Sequence, residues 1–311
     1  MRRYLKDFGL RFSFKQTPKD FFVEEILSRK PLSKGRFAIL RIKKWRMSTW
    51  ELIEEIGRYT KSVGYAGLKD KHATTIQHIS IDSRDLPIIL KINSPRWQVV
   101  DHFKSDRPLK MGDLVGNRFV INLHGVEDLK ILRAALEELS KSGVPNYFGY
   151  QRFGKDGLKK AKAFIEGDYF PKDRKVARML TAIYQSYLFN AWLAKRIELS
   201  DEEFKVLKGD VYRIGGKFVV AKEVPQKGIV TGLLPGSKVV RAGFEAARIE
   251  RLFDEPLLAK GARRDALVYP KDIDVKQIKN GAKIAFFLPK GSYATIVVES
   301  LLGRQIDSEG V

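Results

Sequence analysis

Three short segments of the chain carry side chains that could do chemistry. In "GYAGLKDKHATTIQ", residues 64 to 77, Asp70 is pressed between Lys69 and Lys71. A carboxylate so flanked reads two ways: as a solvated charge balancing its neighbours, or as an acid kept ionised by nearby cations for use as a base or nucleophile. "GNRF" sets Asn117 and Phe119 two residues apart, which on a strand presents an amide and an aromatic ring on one face. "PNYFGYQRFG", residues 145 to 154, gathers Tyr147, Phe148, Tyr150 and Phe153 with Gln151 and Arg152. A structural turn rarely needs so many aromatic and polar groups. The Arg152 guanidinium suits a carboxylate partner or a phosphate equally.

Other chemistries lack their residues. The chain has no Cys, and its four His (72, 78, 102 and 124) have no metal-binding spacing, so no metal site is expected. There is no GxxxxGK[ST], no GxGxxG and no GxSxG, which removes support for ATP, dinucleotides and serine hydrolysis. "LLPGSK" at Leu233 to Lys238 has the wrong glycine spacing for phosphate and reads as a turn. A carboxylate hydrolase would need a second acid opposite Asp70, and none is apparent. Cofactors, nucleotide cofactors included, are expected to be absent.

The elements that must position these groups follow from periodicity. Phe12 and Phe14 alternate in "RFSFK" as core residues of a strand do, and "RFAILRIKKW" from Arg36 reads as another strand. Ser48 to Lys61 reads as a helix opened by a Ser48-x-x-Glu51 capping box, with Leu52, Ile56 and Tyr59 on one face. A short apolar strand ending near Ala66 leaves Asp70 just beyond a strand end, where sites are often assembled. "GNRFVINLHG" alternates Phe119, Ile121 and Leu123; a helix then carries Leu129, Leu132, Leu136 and Leu139, with Gly143 as its stop. "KIAFFLPKGSYATIVVESLLG" repeats strand then helix, the helix starting near Ser292. From Lys155 to about Asp265 the texture changes to Lys/Arg-studded helices followed by "VYRIGGKFVV", a hairpin turning at Gly215-Gly216. Strands and helices mixed in this way argue an α+β fold.

Fifty-eight Lys and Arg against 37 Asp and Glu give a formal +21, more than solubility requires, and nucleic acid is the first partner to consider. Residues 1 to 50 alone carry 14 basic and 4 acidic side chains, interleaved with aromatics that include Phe21, Trp45 and Trp50. No apolar run reaches a membrane span, and the first residues break into charges too soon for a signal peptide. A cytoplasmic protein is expected.

Taken in order, "TPKDFFVEE", "AGLKDKHATTIQ", "GNRF", "VPNYFGYQRFG", "SYLFN" and "LPKGSYAT" resemble the TruD family of tRNA pseudouridine synthases over most of the chain. The resemblance implies a pseudouridine-synthase-like fold: an antiparallel or mixed sheet flanked by helices, with a second α+β domain inserted after the QRFG motif. The expected division is residues 1–154 and 266–311 for the catalytic domain and 155–265 for the insert. It implies that Asp70 is the catalytic residue, that Asn117 and Phe119 line a uridine pocket, and that Phe21 stacks on a base. By the same resemblance Lys15 lies near the catalytic aspartate, and Tyr293 contributes its ring rather than its hydroxyl. Arg152 joins them as a substrate-binding residue. Phe21 and Phe119 also fit a plain core. The substrate implied is tRNA, at uridine 13 of the D arm, handled by a monomer. One carboxylate is enough for such an isomerisation, whether Asp70 attacks C1′ of the ribose or C6 of the base, or removes a ribose proton to pass through a glycal. A non-catalytic RNA-binding module on the same fold is the competing expectation. The intact "GLKDK" acid separates the two.

Overall fold

The computed structural model describes residues 4–14, 17–225 and 227–306, and the chain divides into two compact units. Lys15 lies outside the described residues. The first unit is formed by Arg11–Arg133 with Lys271–Gly291, the second by Ala134–Pro270 with residues 4–10 and 292–306.

The first unit opens with strands β1 (Ser13–Phe14), β2 (Phe21–Leu27) and β3 (Phe37–Lys44). Helix α1 (Thr49–Gly57) follows, then β4 (Gly64–Tyr65), β5 (Thr74–Asp82), the single-turn α2 (Leu86–Ile89), β6 (Trp97–Ser105) and β7 (Leu114–His124). Helix α3 (Leu129–Ser142) carries the chain into the second unit. There it forms β8 (Val144–Pro145), α4 (Gly157–Glu166), α5 (Arg174–Glu198), β9 (Val211–Ile214), β10 (Lys217–Val220), β11 (Ile229–Leu234), α6 (Phe244–Glu250), β12 (Ala262–Asp265) and β13 (Leu267–Val268). Strands β14 (Lys271–Ile278) and β15 (Gly281–Pro289) return to the first unit, and α7 (Ala294–Leu302) closes the second.

The first unit is built on a nine-stranded sheet ordered β14-β15-β7-β2-β5-β3-β6, with β1 added to β7 and β4 to β5. Every pairing is antiparallel except β2 with β5. The α+β expectation with a mixed sheet and flanking helices is met. Ala38, Leu40 and Ile42 of β3 alternate toward one face, and with Ile79 and Ile81 of β5 they pack under Met47, Leu52 and Ile56. Burying each such leucine or isoleucine contributes about 1.5–3 kcal/mol. Both halves of the capping box are present: Glu51 N–H donates to Ser48 Oγ, and Ser48 N–H donates to the Glu51 carboxylate. The helix stops at Gly57, four residues short of the expected Lys61, so Tyr59 falls beyond it and is exposed.

The second unit contains a four-stranded sheet, β10-β9-β11-β12, and the pair β13-β8. Gly215 and Gly216 turn the β9–β10 hairpin at φ +55° and +81°, the left-handed pair that a two-residue turn demands. Helices α4 and α5 pack through Ala161, Leu180 and Ile183. Arg196 is fully buried, paired with both oxygens of Asp210 at 2.6 and 2.9 Å and stacked near Trp192 and Phe204. Arg263 is likewise buried and pairs with one oxygen of Glu250 at 2.6 Å. Helix α7 begins at Ala294, near Ser292 as expected, with Tyr293 in extended backbone as its N-cap residue. Among the described residues no helix is long and apolar enough to cross a membrane, and no group of three or more His, Asp or Glu could hold a metal ion.

Candidate active site

Asp70 lies half-buried on the loop from β4 to β5. Local bonds shape this loop, since it has almost no strand pairing of its own. Ala66 C=O accepts from Gly112 N–H at 2.8 Å, Lys69 N–H donates to Thr49 Oγ1 at 2.8 Å, and Thr49 Oγ1 donates to Gln77 Oε1 at 3.0 Å. His72 N–H donates to Asp70 Oδ1 at 3.1 Å, which turns the chain back toward β5. The two lysines beside Asp70 separate: Lys71 is exposed, whereas Lys69 is buried and donates to Glu25 Oε2 at 2.6 Å.

Glu25 itself is 1% exposed. Its Oε1 accepts from the His78 main-chain N–H at 3.1 Å and lies 3.3 Å from His78 Nδ1. Burial works against this carboxylate, but the His78 and Lys69 contacts outweigh it and hold the Glu25 carboxyl below its ordinary range. A side chain at Gly67 would put Cβ 3.0 Å from Lys69 Nζ and 3.2 Å from Glu25 Oε2, so any larger residue would make this ion pair give by a few tenths of an ångström.

A second lysine reaches the loop from β3. Lys44 is 0% exposed, and its Nζ donates to Met47 C=O and, at 3.3 Å, to the C=O of Asp70 itself. Burial brings its ammonium down to about 8 from 10.5, against the upward pull of Asp70 and Glu51 and with a downward push from Lys69.

Register partners share a sheet face, so Lys44, Thr75, Val23, Phe119 and Phe286 form one row across β3, β5, β2, β7 and β15. Asn117, two residues from Phe119, faces the same way opposite Glu25, and its Oδ1 is buried with no hydrogen-bond partner. Phe21 and Phe119 are brought together, ring centroids 6.0 Å apart, in a chain of rings from Phe14 to Phe286. Both are nearly fully buried, like Phe12 and Phe14. At the loop's edge Leu68 and Trp50 are more than half exposed, Trp50 resting edge-on against Tyr65.

Arg152 and Tyr293 belong to the second unit, where both gather around Phe148. The Arg152 guanidinium lies 5.6 Å from the Phe148 ring centroid, the Arg264 guanidinium 3.9 Å, and the Tyr293 ring 6.3 Å. Arg152 donates to Ser186 Oγ and Ala182 C=O, both at 3.0 Å. Asn190 grips the Phe148 main chain by both N–H and C=O. Burial brings Arg264 down to about 10 and pushes the Tyr293 hydroxyl up, the latter against both arginines.

Lys44, Glu25 and Thr49 were missed as site residues. The signal existed for the first two: Lys44 falls in step with Ala38, Leu40 and Ile42, and Glu25 with Phe21 and Val23, so each is a charge at an inward strand position. Thr49 had none, because it lies just inside an ordinary capping box.

Comparison with known proteins identifies the family of the chain. The model of the family described as tRNA pseudouridine synthase D (TruD) matches residues 1–172 and 171–301. A tRNA pseudouridine synthase D of Wolinella succinogenes is 33% identical, with 97% of this chain and 98% of the relative covered. The protein of that name from Sulfurimonas denitrificans is 35% identical, with 96% and 97% covered. A solved structure of a TruD protein from Methanosarcina mazei superposes with a TM-score of 0.71 over 97% of this chain and 96% of its own, at 23% identity, a likeness of fold.

Proposed function

We propose, from the premise that this chain belongs to the tRNA pseudouridine synthase D (TruD) family, that it isomerises a uridine of tRNA to pseudouridine, at position 13 of the D arm, with Asp70 as its catalytic carboxylate. The observation that carries the reading is the Asp70 loop. The backbone of the loop that carries this half-buried carboxylate is held by Thr49, by Lys44 and by the Lys69–Glu25 pair, at the end of a sheet face that also carries Asn117 and Phe119. Preorganisation of this kind suits a reaction in which the enzyme supplies one acidic group and a fixed geometry.

The reaction breaks the N1–C1′ bond, turns the base and joins C5 to C1′, with a proton leaving C5 and one taken up at N1. No electrons leave or enter. Asp70 acts by attack at C1′ or C6, or by taking a ribose proton on the way to a glycal. The orphaned Asn117 Oδ1 is an acceptor suited to the N3–H of uracil. Phe119 and Phe21 supply the apolar wall behind the base. The base leaves its stack at a cost of a few kcal/mol, and aromatic contact returns roughly 1–3 kcal/mol. Arg152 and Tyr293 are substrate-binding residues of the second unit, and residues 155–265 act as the inserted, RNA-gripping module. There Lys159, Lys160, Arg174, Lys175 and Arg178 are exposed. Lys15 enters on family resemblance alone.

The test is Asp70→Asn. The amide keeps the shape and removes the base or nucleophile, so pseudouridine mapping in tRNA should show no product while tRNA affinity stays within a few-fold of wild type. Product formed by the Asn variant would end the assignment of Asp70.

A further inference from the structure

Lys44 has no part in the reading above beyond holding the loop, yet its placement is unusual. A side chain that normally keeps its ammonium in water is here fully enclosed, in an inward strand position where its neighbours are Leu40 and Ile42. Its Nζ bonds two main-chain carbonyls, and one of them is the carbonyl of Asp70. The charged groups that face it are Asp70 and Lys69 of the loop and Glu51 of α1. Its register partners on the neighbouring strands, Thr75 and Trp97, carry no charge.

We propose that Lys44 is a positioning residue for Asp70: its protonated ammonium, through the bond to the Asp70 carbonyl and the field it exerts on the carboxylate, fixes that acid in its reactive placement, so that turnover requires Lys44 to be charged. The inference rests on the reading of Asp70 as the catalytic carboxylate of a pseudouridine synthase. A hydrophobic residue would fill the same space at lower cost, because an enclosed charge is expensive unless something uses it. The ammonium carries three donors, and among the described residues two acceptors and one nearby carboxylate reward it. Burial has already weakened its hold on the third proton, which is lost near pH 8. Neutral Lys44 keeps two donors but loses the attraction to Asp70. The active geometry is therefore tied to a proton that leaves within the working range of an assay.

The experiment is a pH profile of the single-turnover rate at saturating tRNA for wild type, Lys44→Gln and Lys44→Arg. The site is enclosed, so each variant is first checked for a cooperative thermal melt, and either one that folds suffices. Wild type should lose rate above about pH 8. Lys44→Gln, which can donate but never carries charge, should be slowed about 10²-fold at pH 7, the cost of an acid held an ångström out of place, with KM for tRNA nearly unchanged and no basic limb. Lys44→Arg should keep more of its rate and show no limb near 8. A merely structural lysine would change stability without moving the limb. An active wild type whose rate is flat from pH 7 to 9.5, or a variant that retains the same limb, overturns this inference alone. A wild type that forms no pseudouridine in any tRNA overturns the proposed activity, and this inference with it.

Discussion

Replacing Lys44 by methionine separates the cost of one enclosed charge from everything else that titrates in alkaline solution. The ammonium is 0% exposed and holds its proton only to about pH 8, against 10.5 for a lysine in water. At 1.36 kcal/mol per unit, that displacement corresponds to about 3 kcal/mol. The sign follows from proton counting. Below pH 8 both folded and unfolded chains carry the proton, and the full cost of burying the charge is present. Between 8 and 10.5 the unfolded chain binds it and the folded chain does not, so folding stability from this group rises with pH across that window. Lys44→Met lacks the group, while the other titrating side chains are common to both proteins. Urea unfolding of both at pH 7.5 and pH 10 should therefore show wild type gaining about 2–3 kcal/mol relative to the variant between the two conditions. A difference between the proteins that does not change with pH, or that moves against wild type, would refute the claim that Lys44 is buried as a charge.

Glu25→Gln strands the Lys69 ammonium without its counter-charge and should cost about 3–5 kcal/mol in urea unfolding. The wild-type advantage should shrink as pH falls below 4.5, because the folded carboxyl titrates under its ordinary value, and pairing the change with Lys69→Met should recover most of the loss. Phe119→Leu and Phe21→Leu should each cost about 1 kcal/mol of stability by melting, since both rings are packed. Phe119→Leu should also lower the single-turnover rate per folded molecule, and Phe21→Leu should do so less. Charge-neutralising Lys159, Lys160, Arg174 and Lys175 should raise KM for tRNA and leave turnover at saturation near wild type. The salt dependence of binding should flatten by about 0.7–0.9 for each phosphate no longer neutralised.

Local features were readable from sequence where local chemistry decides them. The Ser48 capping box, the Gly215-Gly216 hairpin and the alternating strand around Phe119 all depend on residues within a few positions of one another. What escaped reading depends on partners far along the chain. Nothing in "FFVEEIL" says that β2 runs parallel to β5, and without that register Glu25 cannot be set beside His78, or Lys44 in line with Phe119. Asp70 could be singled out from its motif, but the reason its loop is rigid lies in β2, β3 and α1, up to 45 residues away. One cue ran long: α1 ends at Gly57 although the apolar spacing continued to Tyr59.

The strand order also sets a timetable for synthesis. β7 is complete at His124, but its partner β15 begins only at Gly281, after the whole of the segment that builds most of the second unit. At the usual 5–20 residues per second on the ribosome, about 8–30 s separate the emergence of the two strands. For that interval β7 can pair with β2 on one side while its N–H and C=O groups from Gly116 to His124 stay open on the other. An open, apolar strand edge of that length is a template for misassociation with a neighbouring nascent chain. The central sheet of this protein therefore cannot close during translation until the intervening segment has been made, which makes its yield in the cell a matter of chaperone cover and elongation rate as well as of final stability.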